Sequence, residues 1–464
     1  MPELFPGPVL ASLGDASWAP AFEVGSRAVA RGELLATVRR LVGGLRDAGL
    51  GPGSGVGMVL SLSPEAYAVH LAAHALGCRV GAARPGWSPQ QLAQALGGQV
   101  DAVVADSPLD GPVLLLGDLL TGPDPGGSVP LSARPDDIAR LTYTSGSTGR
   151  PKACAHTYRT MSLAYQTDRW APVLARLLTH FQRCLIHESL ASPVMFTYLG
   201  RCLVAGGTVV IPDGTPLPQA IERYRVTATL MPPARLHHVL LSEADLSSLR
   251  AVMLGGSPAG PQLLRTATER LGPIVWQGYG QGEAGVISML TPEDIAAGHV
   301  NSVGRPMPAV EVAIRDGEIC VRSPHMMTGY WNDPDQTLEV LQDGWLHTRD
   351  LGHLDADGML YLTGRTRDVI MVNAEVCYAG AIERALTEHP HVAQAYVVGA
   401  PDPETGEAIH AFVVPAGDQV PDSDVLTTLV RQTLSANSVP KTVTVIPEVP
   451  VSASGKPDKG ALLA

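Results

Sequence analysis

The sequence predicts an α/β protein, with a large N-terminal domain of parallel and mixed sheets covered by helices and a small C-terminal α+β domain. From Ser26 to about Val210, helix-like and strand-like segments alternate, and such alternation is typical of a parallel sheet covered by helices. After about residue 300, Asp316-Gly317 and Asp357-Gly358 give two β-hairpin signals,. A further αβ segment begins at 368–372 and continues to the C-terminus.

The elements follow from local patterns. Apolar residues in 32–50 recur at i, i+3, i+4 and i+7 and predict a helix that stops at Gly51-Pro52,. The same criteria predict buried strands over 55–62 and 100–106, a helix over 64–79, strands running into loops over 228–233 and 251–256 with a helix between them, and hairpins over 310–323 and 352–364.

Composition narrows the class of protein. The formal net charge is −12 and no long basic run occurs, which argues against a nucleic-acid or membrane-surface partner. The N-terminal MPELFPGPVL lacks a signal-peptide pattern, and no apolar run reaches the ~18 residues of a membrane span. We therefore expect a cytoplasmic protein. The six cysteines are scattered and are predicted to be reduced and mostly buried.

One stretch carries chemistry. Residues 143–152 read YTSGSTGRPK, and Lys152 is one of very few lysines beside Lys441, Lys456 and Lys459. Glycines at 146 and 149 allow a tight turn with exposed N–H groups, and the hydroxyl residues add donors. This composition is suited to holding a polyphosphate, although a polar surface turn is the alternative.

The stretch resembles the signature of the AMP-forming adenylating enzymes, which include acyl-CoA synthetases, peptide-synthetase adenylation domains and luciferases. Further motifs of that superfamily follow in order: YGQGE (279–283), W-x-x-x-x-D (345–350), GRTRDVI (364–370) and PVSASGK (450–456). The resemblance covers essentially the whole chain. It implies an adenylation domain over 1–365 and a mobile C-terminal domain over 366–464, with Arg367 at the hinge.

The resemblance also implies ATP and Mg²⁺ as ligands. Tyr279 would stack on adenine, Asp350 would accept hydrogen bonds from the ribose hydroxyls, and Arg365 would reach the ribose or phosphate. Glu283 and Thr148 would hold Mg²⁺. The remaining nucleotide-binding candidates are Thr144, Ser145, Gly146, Ser147, Gly149, Lys152, Gly255, Gly256, Ser257, Gly280 and Gly282.

Lys456 is the main catalytic candidate, with Glu283 and Lys152. By the resemblance, Lys456 would bridge the attacking carboxylate and the α-phosphate. Attack on that phosphorus brings two anions together, so a cation between them stabilises charge that grows in the transition state.

The sequence departs from the superfamily pattern at several positions. Gly282 replaces the usual threonine, and Ala374 replaces a glycine that in many acyl-CoA synthetases lets pantetheine pass, which puts CoA as acceptor in doubt. The pocket region 183–200 lacks the aspartate of amino-acid-activating relatives, so an α-amino acid is not expected. His187, Ser192 and Met231 are the candidate pocket residues, and a helix-surface pair of His187 with Glu188 is the alternative for the first.

Two functions remain open, together with one non-catalytic alternative. The first is a ligase that adenylates a small aryl or short acyl acid and passes it to CoA or a carrier thiol supplied by another protein. The second keeps adenylation but uses an amine acceptor, giving an amide, or activates nitrite to diazotise an aryl amine. The third is a non-catalytic nucleotide-binding homologue.

Overall fold

The computed structural model describes residues 4–463, apart from 85, 145–151, 367, 418 and 451–456. The α-helices of this part are α1 (Gly7–Asp15), α2 (Arg31–Asp47), α3 (Pro64–Ala75), α4 (Pro89–Leu96), α5 (Leu116–Leu119), α6 (Tyr158–Ser162), α7 (Pro172–Leu178), α8 (Pro193–Val204), α9 (Leu217–Arg223), α10 (Pro233–Leu241), α11 (Pro261–Leu271), α12 (Pro292–Ala296), α13 (Pro334–Val340), α14 (Ala379–Thr387) and α15 (Ser423–Thr433). Short 3₁₀ helices span Leu163–Tyr165, Thr167–Arg169 and Lys459–Leu462.

The strands of the described residues are β1 (Pro20–Val24), β2 (Arg27–Ala30), β3 (Gly55–Val59), β4 (Arg79–Ala83), β5 (Ala102–Ala105), β6 (Val113–Leu115), β7 (Ile138–Thr144), β8 (Lys152–Thr157), β9 (Arg183–Leu185), β10 (Thr208–Ile211), β11 (Ala228–Met231), β12 (Ala251–Leu254), β13 (Val275–Gln281), β14 (Gly285–Leu290), β15 (Arg305–Pro306), β16 (Glu311–Arg315), β17 (Glu318–Arg322), β18 (Gly329–Tyr330), β19 (Leu341–Gln342), β20 (Trp345–Leu354), β21 (Leu360–Arg365), β22 (Val369–Val372), β23 (Glu375–Tyr378), β24 (Val392–Asp402), β25 (Gly406–Pro415) and β26 (Thr442–Val445).

Within the described ranges these strands form four sheets. The largest has nine strands in the order β15-β14-β13-β12-β11-β9-β10-β1-β2, and the second has seven in the order β18-β8-β7-β4-β3-β5-β6. A five-stranded sheet contains β16, β17, β19, β20 and β21, and the last contains β22 to β26. Parallel pairing dominates the centres of the two large sheets, whereas the two smaller sheets are mainly antiparallel.

Helix α2 shows how the sequence pattern becomes packing. Leu34, Val38, Leu41 and Leu45 recur at helical spacing and are all buried, so one face of the helix covers the sheet while its charged face meets water. Helix α3 packs against it and is buried on all sides. Its N-terminus is capped by the Ser63 hydroxyl, which accepts from the Ala66 N–H at 3.0 Å,. The predicted alternation of helices and strands is therefore confirmed for this region.

The last sheet has a hydrophobic core of its own. Ile370, Ile382, Val397, Ile409 and Val430 are among the residues that pack between the β22–β26 sheet and helices α14 and α15. Contacts with the preceding region include the Arg384 Nη2 donor to the Thr363 carbonyl oxygen at 2.6 Å. A division of the chain at residues 365 and 366 remains a prediction. Across the described ranges, every helix is too short or too polar to traverse a bilayer.

Candidate functional site

The predicted phosphate loop joins two paired strands. In the β7–β8 pair, Thr144 lies directly opposite Lys152, so the hydroxyl and the ammonium group flank the entrance and exit of the loop. The loop residues Ser145, Gly146, Ser147, Thr148 and Gly149 lie outside the described part of the chain.

Lys152 and Glu283 are brought together through Tyr330 on β18. The Lys152 Nζ lies 4.9 Å from the centroid of the Tyr330 ring, a distance at which a cation is attracted to the ring face. The Tyr330 hydroxyl donates to Glu283 Oε1 at 2.9 Å. A carboxylate beside an ammonium group and a phenol is a donor set that suits a hard cation together with phosphate oxygens.

Asp350 is the centre of a second cluster. It is 3% exposed and receives hydrogen bonds from Tyr279 Oη at 2.6 Å, Gln281 Nε2 at 2.6 Å and Arg365 Nε at 2.6 Å. Asp350 and Arg365 are direct cross-strand partners on β20 and β21, whereas Tyr279 and Gln281 come from β13. A buried carboxylate satisfied by three donors is fixed in position.

The charges of this cluster support one another. Burial, followed by the Asp350 charge, raises the pKa of Tyr279 well above its ordinary value, so the phenol stays a donor. Burial disfavours the charged form of Arg365, but the Asp350 carboxylate outweighs burial and raises the pKa of the guanidinium. The group is therefore an ion pair plus neutral donors, which suits recognition of a diol such as a ribose.

The glycine-rich segment after β12 lies next to this cluster. Gly255, Gly256 and Ser257 follow the carboxyl end of β12, the strand beside β13. Gly256 has a φ of +90°, which an L side chain rarely adopts. A Cβ on Gly280 would lie 2.2 Å from the Gly285 carbonyl oxygen, so that position requires glycine. Ligands of open α/β sheets bind at such carboxyl ends.

Gly282 fits closely against the β7–β8 pair. A Cβ added there would lie 2.7 Å from Thr144 Cγ2, so the threonine usual in the superfamily motif would force a neighbour to move. The Gly282 carbonyl oxygen is 2.9 Å from His156 Nε2. Burial lowers the pKa of His156 to about 4, so the ring is neutral at pH 7 and donates through Nε2.

The three predicted acid-pocket residues lie in a loop, at the end of a strand and at the start of a helix. His187 follows β9 in a loop, so the alternative of a helix-surface pair with Glu188 is wrong: both residues precede α8. The His187 Nε2 lies 2.9 Å from the Leu230 carbonyl oxygen, beside Met231 at the buried end of β11. Ser192 caps α8, accepting from the Met195 N–H at 3.4 Å.

Lys456, the main catalytic candidate, and Arg367, the hinge candidate, lie outside the described residues. Ala374 is described, and it stands with Asn373 in the two-residue turn between β22 and β23. Their φ values are +62° and +52°, as in the mirror-image turns that favour glycine in hairpins. The alanine therefore occupies a strained left-handed conformation.

Sequence reasoning missed Gln281 and Tyr330. Gln281 stands two residues after Tyr279, and alternation along a strand was a usable signal for it. Tyr330 lies 47 residues from Glu283, so no local pattern points to it.

A further group of polar residues lies on the β17–β20 pair. Cys320 is opposite His347, and with Glu318 their potential ligand atoms lie within 4.8 Å of one another. His347 Nδ1 is 2.9 Å from Glu318 Oε2, and the other carboxylate oxygen accepts from the Arg349 N–H at 2.7 Å. Hydrogen bonds thus account for the positions of the Glu318 and His347 side chains.

Comparison with known proteins agrees with this geometry. The model of the AMP-binding enzyme family matches residues 18–331, and that of the AMP-binding enzyme C-terminal domain matches 381–456. Among curated proteins, the medium/long-chain-fatty-acid–CoA ligase FadD8 of Mycobacterium tuberculosis is 35% identical over 71% of this chain, and the match covers 62% of the length of FadD8. A feruloyl-CoA synthase of an Amycolatopsis species is 32% identical, with 95% of each chain covered.

Solved structures give the same result. The amide bond synthetase McbA from Marinactinospora thermotolerans is 34% identical with a TM-score of 0.84, covering 98% of each chain. The o-succinylbenzoate CoA synthetase MenE from Bacillus subtilis, with its acyl-adenylate intermediate, is 26% identical with a TM-score of 0.85, covering 100% of this chain and 99% of its own. MenE has also been solved with ATP and magnesium.

The fold and the site thus define an adenylate-forming type of enzyme. The chain belongs to the AMP-binding enzyme family, and the predicted superfamily and fold class are confirmed.

Proposed function

We propose that the protein is an ATP-dependent, AMP-forming ligase that adenylates a small aryl or short acyl acid and transfers it to the thiol of CoA or of a carrier protein. The observation that carries the proposal is the proximity of Lys152 to Glu283 through Tyr330. Lys152, Glu283 and Asp350 come from three separate motifs of the sequence. Asp350 is held by hydrogen bonds from Tyr279 and Arg365.

In this proposal the nucleotide is a substrate held along the carboxyl ends of the strands. Tyr279 would stack on adenine, Asp350 would accept from the ribose, and Thr144 and Lys152 would contact the β- and γ-phosphates. Glu283 and Thr148 would hold Mg²⁺, which would supply positive charge to the phosphate oxygens. Tyr330 donates to one oxygen of Glu283 and so holds this carboxylate in place.

The reaction would proceed in two steps. The acid carboxylate attacks the α-phosphorus, forming the acyl-adenylate and releasing pyrophosphate, and a second nucleophile then displaces AMP. Lys456 would stabilise the first transition state. We expect residues 366–464 to swing about Arg367 between the steps, because two chemistries then use one site in succession.

ATP–pyrophosphate exchange with an acid panel tests the first step. We expect Lys456→Ala to lose about 10²–10³-fold in rate, as for removal of a group that stabilises transition-state charge. Lys441→Ala is the matched control, because Lys441 is a lysine of the same region that pairs with Asp402. Equal exchange by the Lys456 variant and the wild type would refute the proposed role. If the wild type gives no exchange with any acid, the non-catalytic alternative holds.

An amine acceptor is the second candidate. The similarity to the amide bond synthetase over 98% of the chain favours it, and so does Ala374, whose methyl group stands where many CoA ligases have glycine. AMP release from the preformed adenylate, measured with CoA and separately with aryl and alkyl amines, distinguishes the two acceptors. Strong acceleration by CoA alone supports the thiol acceptor, and acceleration by amines alone supports amide formation.

We also propose a cytoplasmic location.

A further inference from the structure

Arg140 on β7 is a buried cation with unused donors. It is 6% exposed, its Nη2 donates to the Leu190 carbonyl oxygen at 2.8 Å, and its guanidinium lies 4.3 Å from the Phe196 ring centroid. Among the described residues, Nε and Nη1 have no hydrogen-bond partner. Burial lowers the pKa of Arg140 only to about 10, so the group stays charged at pH 7.

Arg31 shows how this protein satisfies a buried arginine elsewhere. It is 2% exposed and donates to three carbonyl oxygens, those of Ser12 at 3.0 Å, Leu203 at 3.0 Å and Gly207 at 2.8 Å. Arg140 has no comparable set of acceptors. Because an unpaired buried charge is costly, the difference indicates that Arg140 serves an acceptor that is not part of the described chain.

Two tyrosines extend this group of donors. Tyr67 is 0% exposed and Tyr165 is 1% exposed, and neither hydroxyl has a partner among the described residues. Burial raises the pKa of both phenols, so each hydroxyl keeps its proton at pH 7. Gly200 permits this arrangement, since a Cβ there would lie 2.5 Å from Tyr165 Cε1 and 2.7 Å from the Tyr67 hydroxyl oxygen.

The strand register links Arg140 to the candidate nucleotide site. Arg140, Thr142 and Thr144 alternate on one face of β7, and their partners on β8 are His156, Cys154 and Lys152, respectively,. Lys152 is therefore at the phosphate end of this face and Arg140 is at the other end, about 14 Å away at the usual rise per residue. Gly282 lies between them, against Thr144 and Cys154.

The ionisable groups near Arg140 are neutral at pH 7, and they include the buried His70 and His74, whose pKa values are lowered chiefly by burial. His156 is its cross-strand partner, and burial lowers the pKa of that ring to about 4. From the pocket segment, Leu190 and Phe196 contribute a carbonyl group and an aromatic ring. The described carboxylates make no ion pair with Arg140. An anion placed beside this guanidinium would therefore be electrostatically complementary to it.

We propose that Arg140, with Tyr67 and Tyr165, binds a second carboxylate at the far end of the acid substrate, so that the preferred substrates are dicarboxylic acids. This inference rests on the proposed ligase function. One carboxylate of the substrate would react at the nucleotide end of this face, and the other would pair with the guanidinium at the opposite end. A neutral tail would leave the Arg140 charge unpaired.

The test compares acids of matched skeleton, such as cinnamic with 4-carboxycinnamic acid and octanoic with octanedioic acid, by pyrophosphate release. We expect the wild type to favour the diacid by about tenfold or more in kcat/KM, as for a hydrogen-bonded ionic contact. Arg140→Met should remove the preference through KM with little change in kcat. Arg31→Met is the matched control, because it also removes a buried arginine but should retain the preference for the diacid.

Folding of each variant is checked by thermal unfolding. If Arg140→Met does not fold, Tyr165→Phe provides the second test and should reduce the diacid preference several-fold while retaining activity with the monoacid. A wild-type preference for monoacids, or a diacid preference unchanged in the Arg140 or Tyr165 variant, would overturn the inference. Release of pyrophosphate with monoacids alone would overturn it while supporting the ligase function, so the two failures are distinguishable.

Discussion

Tyr279 and Asp350 lie on strands of different sheets and are joined by a 2.6 Å hydrogen bond between the phenol and the carboxylate. Gln281 from the same strand as Tyr279 makes a second bond of the same length to the same oxygen. The opposite oxygen of Asp350 pairs with Arg365. The candidate ribose contact is therefore fixed from two sides before any ligand binds.

Removing the phenol should weaken the fold. Tyr279→Phe deletes a hydrogen bond to a buried charged acceptor, and we expect the free energy of unfolding to fall by about 1–3 kcal/mol. Tyr361→Phe is the control, because Tyr361 is only partly buried and water can replace its contacts with His299 at 3.4 Å and with Asp355. Denaturant unfolding measures both. Equal losses in the two variants would contradict a special role for the Tyr279–Asp350 bond.

The left-handed turn predicts a stabilising substitution. Ala374 has a φ of +62°, a conformation that costs an L residue about 1–2 kcal/mol. Ala374→Gly should therefore stabilise the protein by up to about 1 kcal/mol after the entropy of the more flexible unfolded chain is deducted. The same substitution at exposed Ala93 in α4 should destabilise by about 1 kcal/mol,. Denaturant midpoints that shift in the same direction for both variants would contradict the strain at Ala374.

The close contact at Gly282 predicts coupling with Thr144. Gly282→Ala places a methyl group 2.7 Å from Thr144 Cγ2, and overpacking of this kind typically costs about 1–3 kcal/mol. Thr144→Ser removes that methyl carbon and keeps the hydroxyl. A double-mutant cycle on unfolding free energies should show that the second substitution recovers much of the loss. Additive effects would show that the two positions are not in contact.

Buried neutral histidines predict sensitivity to acid. The pKa values of His156 and His325 are each lowered to about 4, chiefly by burial, below the unfolded value of about 6.5. The unfolded chain therefore gains protons first as the pH falls. Their contribution to stability is complete above about pH 6.5 and is lost progressively toward pH 4.

His156→Gln isolates one of these groups, because an amide can still donate to the Gly282 carbonyl oxygen. We expect the variant to lose less stability than the wild type between pH 6.5 and 4, by up to about 3 kcal/mol. His353→Gln serves as the control, since that ring is exposed. Urea unfolding across this pH range measures the slopes, and identical slopes for wild type and His156→Gln would refute the prediction.

The sequence predicted the elements with strong periodicity and the residues inside contiguous motifs. Helix α2 and the hairpin β16–β17 follow the predicted ranges because hydrophobic spacing and Asp-Gly turns are local signals. The second hairpin turns at Asp357-Gly358 as predicted, but β20 begins at Trp345, well before the predicted start at 352. The helix-surface alternative for His187 and Glu188 was wrong, because a short polar pair has no periodicity that could place it on a helix. No sequence pattern assigned a role to Arg140, because it is a single charged residue outside the motif 143–152. Only the β7–β8 register reveals which face it occupies and what lies at the other end.

The ribose candidate also lies where two sheets meet. Tyr279 and Gln281 belong to the nine-stranded sheet, whereas Asp350 and Arg365 belong to a five-stranded one. A nucleotide bound there would contact residues of both sheets and would stabilise the contact between them. Heat or denaturant that weakens the contact between the two sheets should therefore lower nucleotide affinity before either sheet unfolds. Saturation with nucleotide should make the two sheets unfold as one cooperative unit.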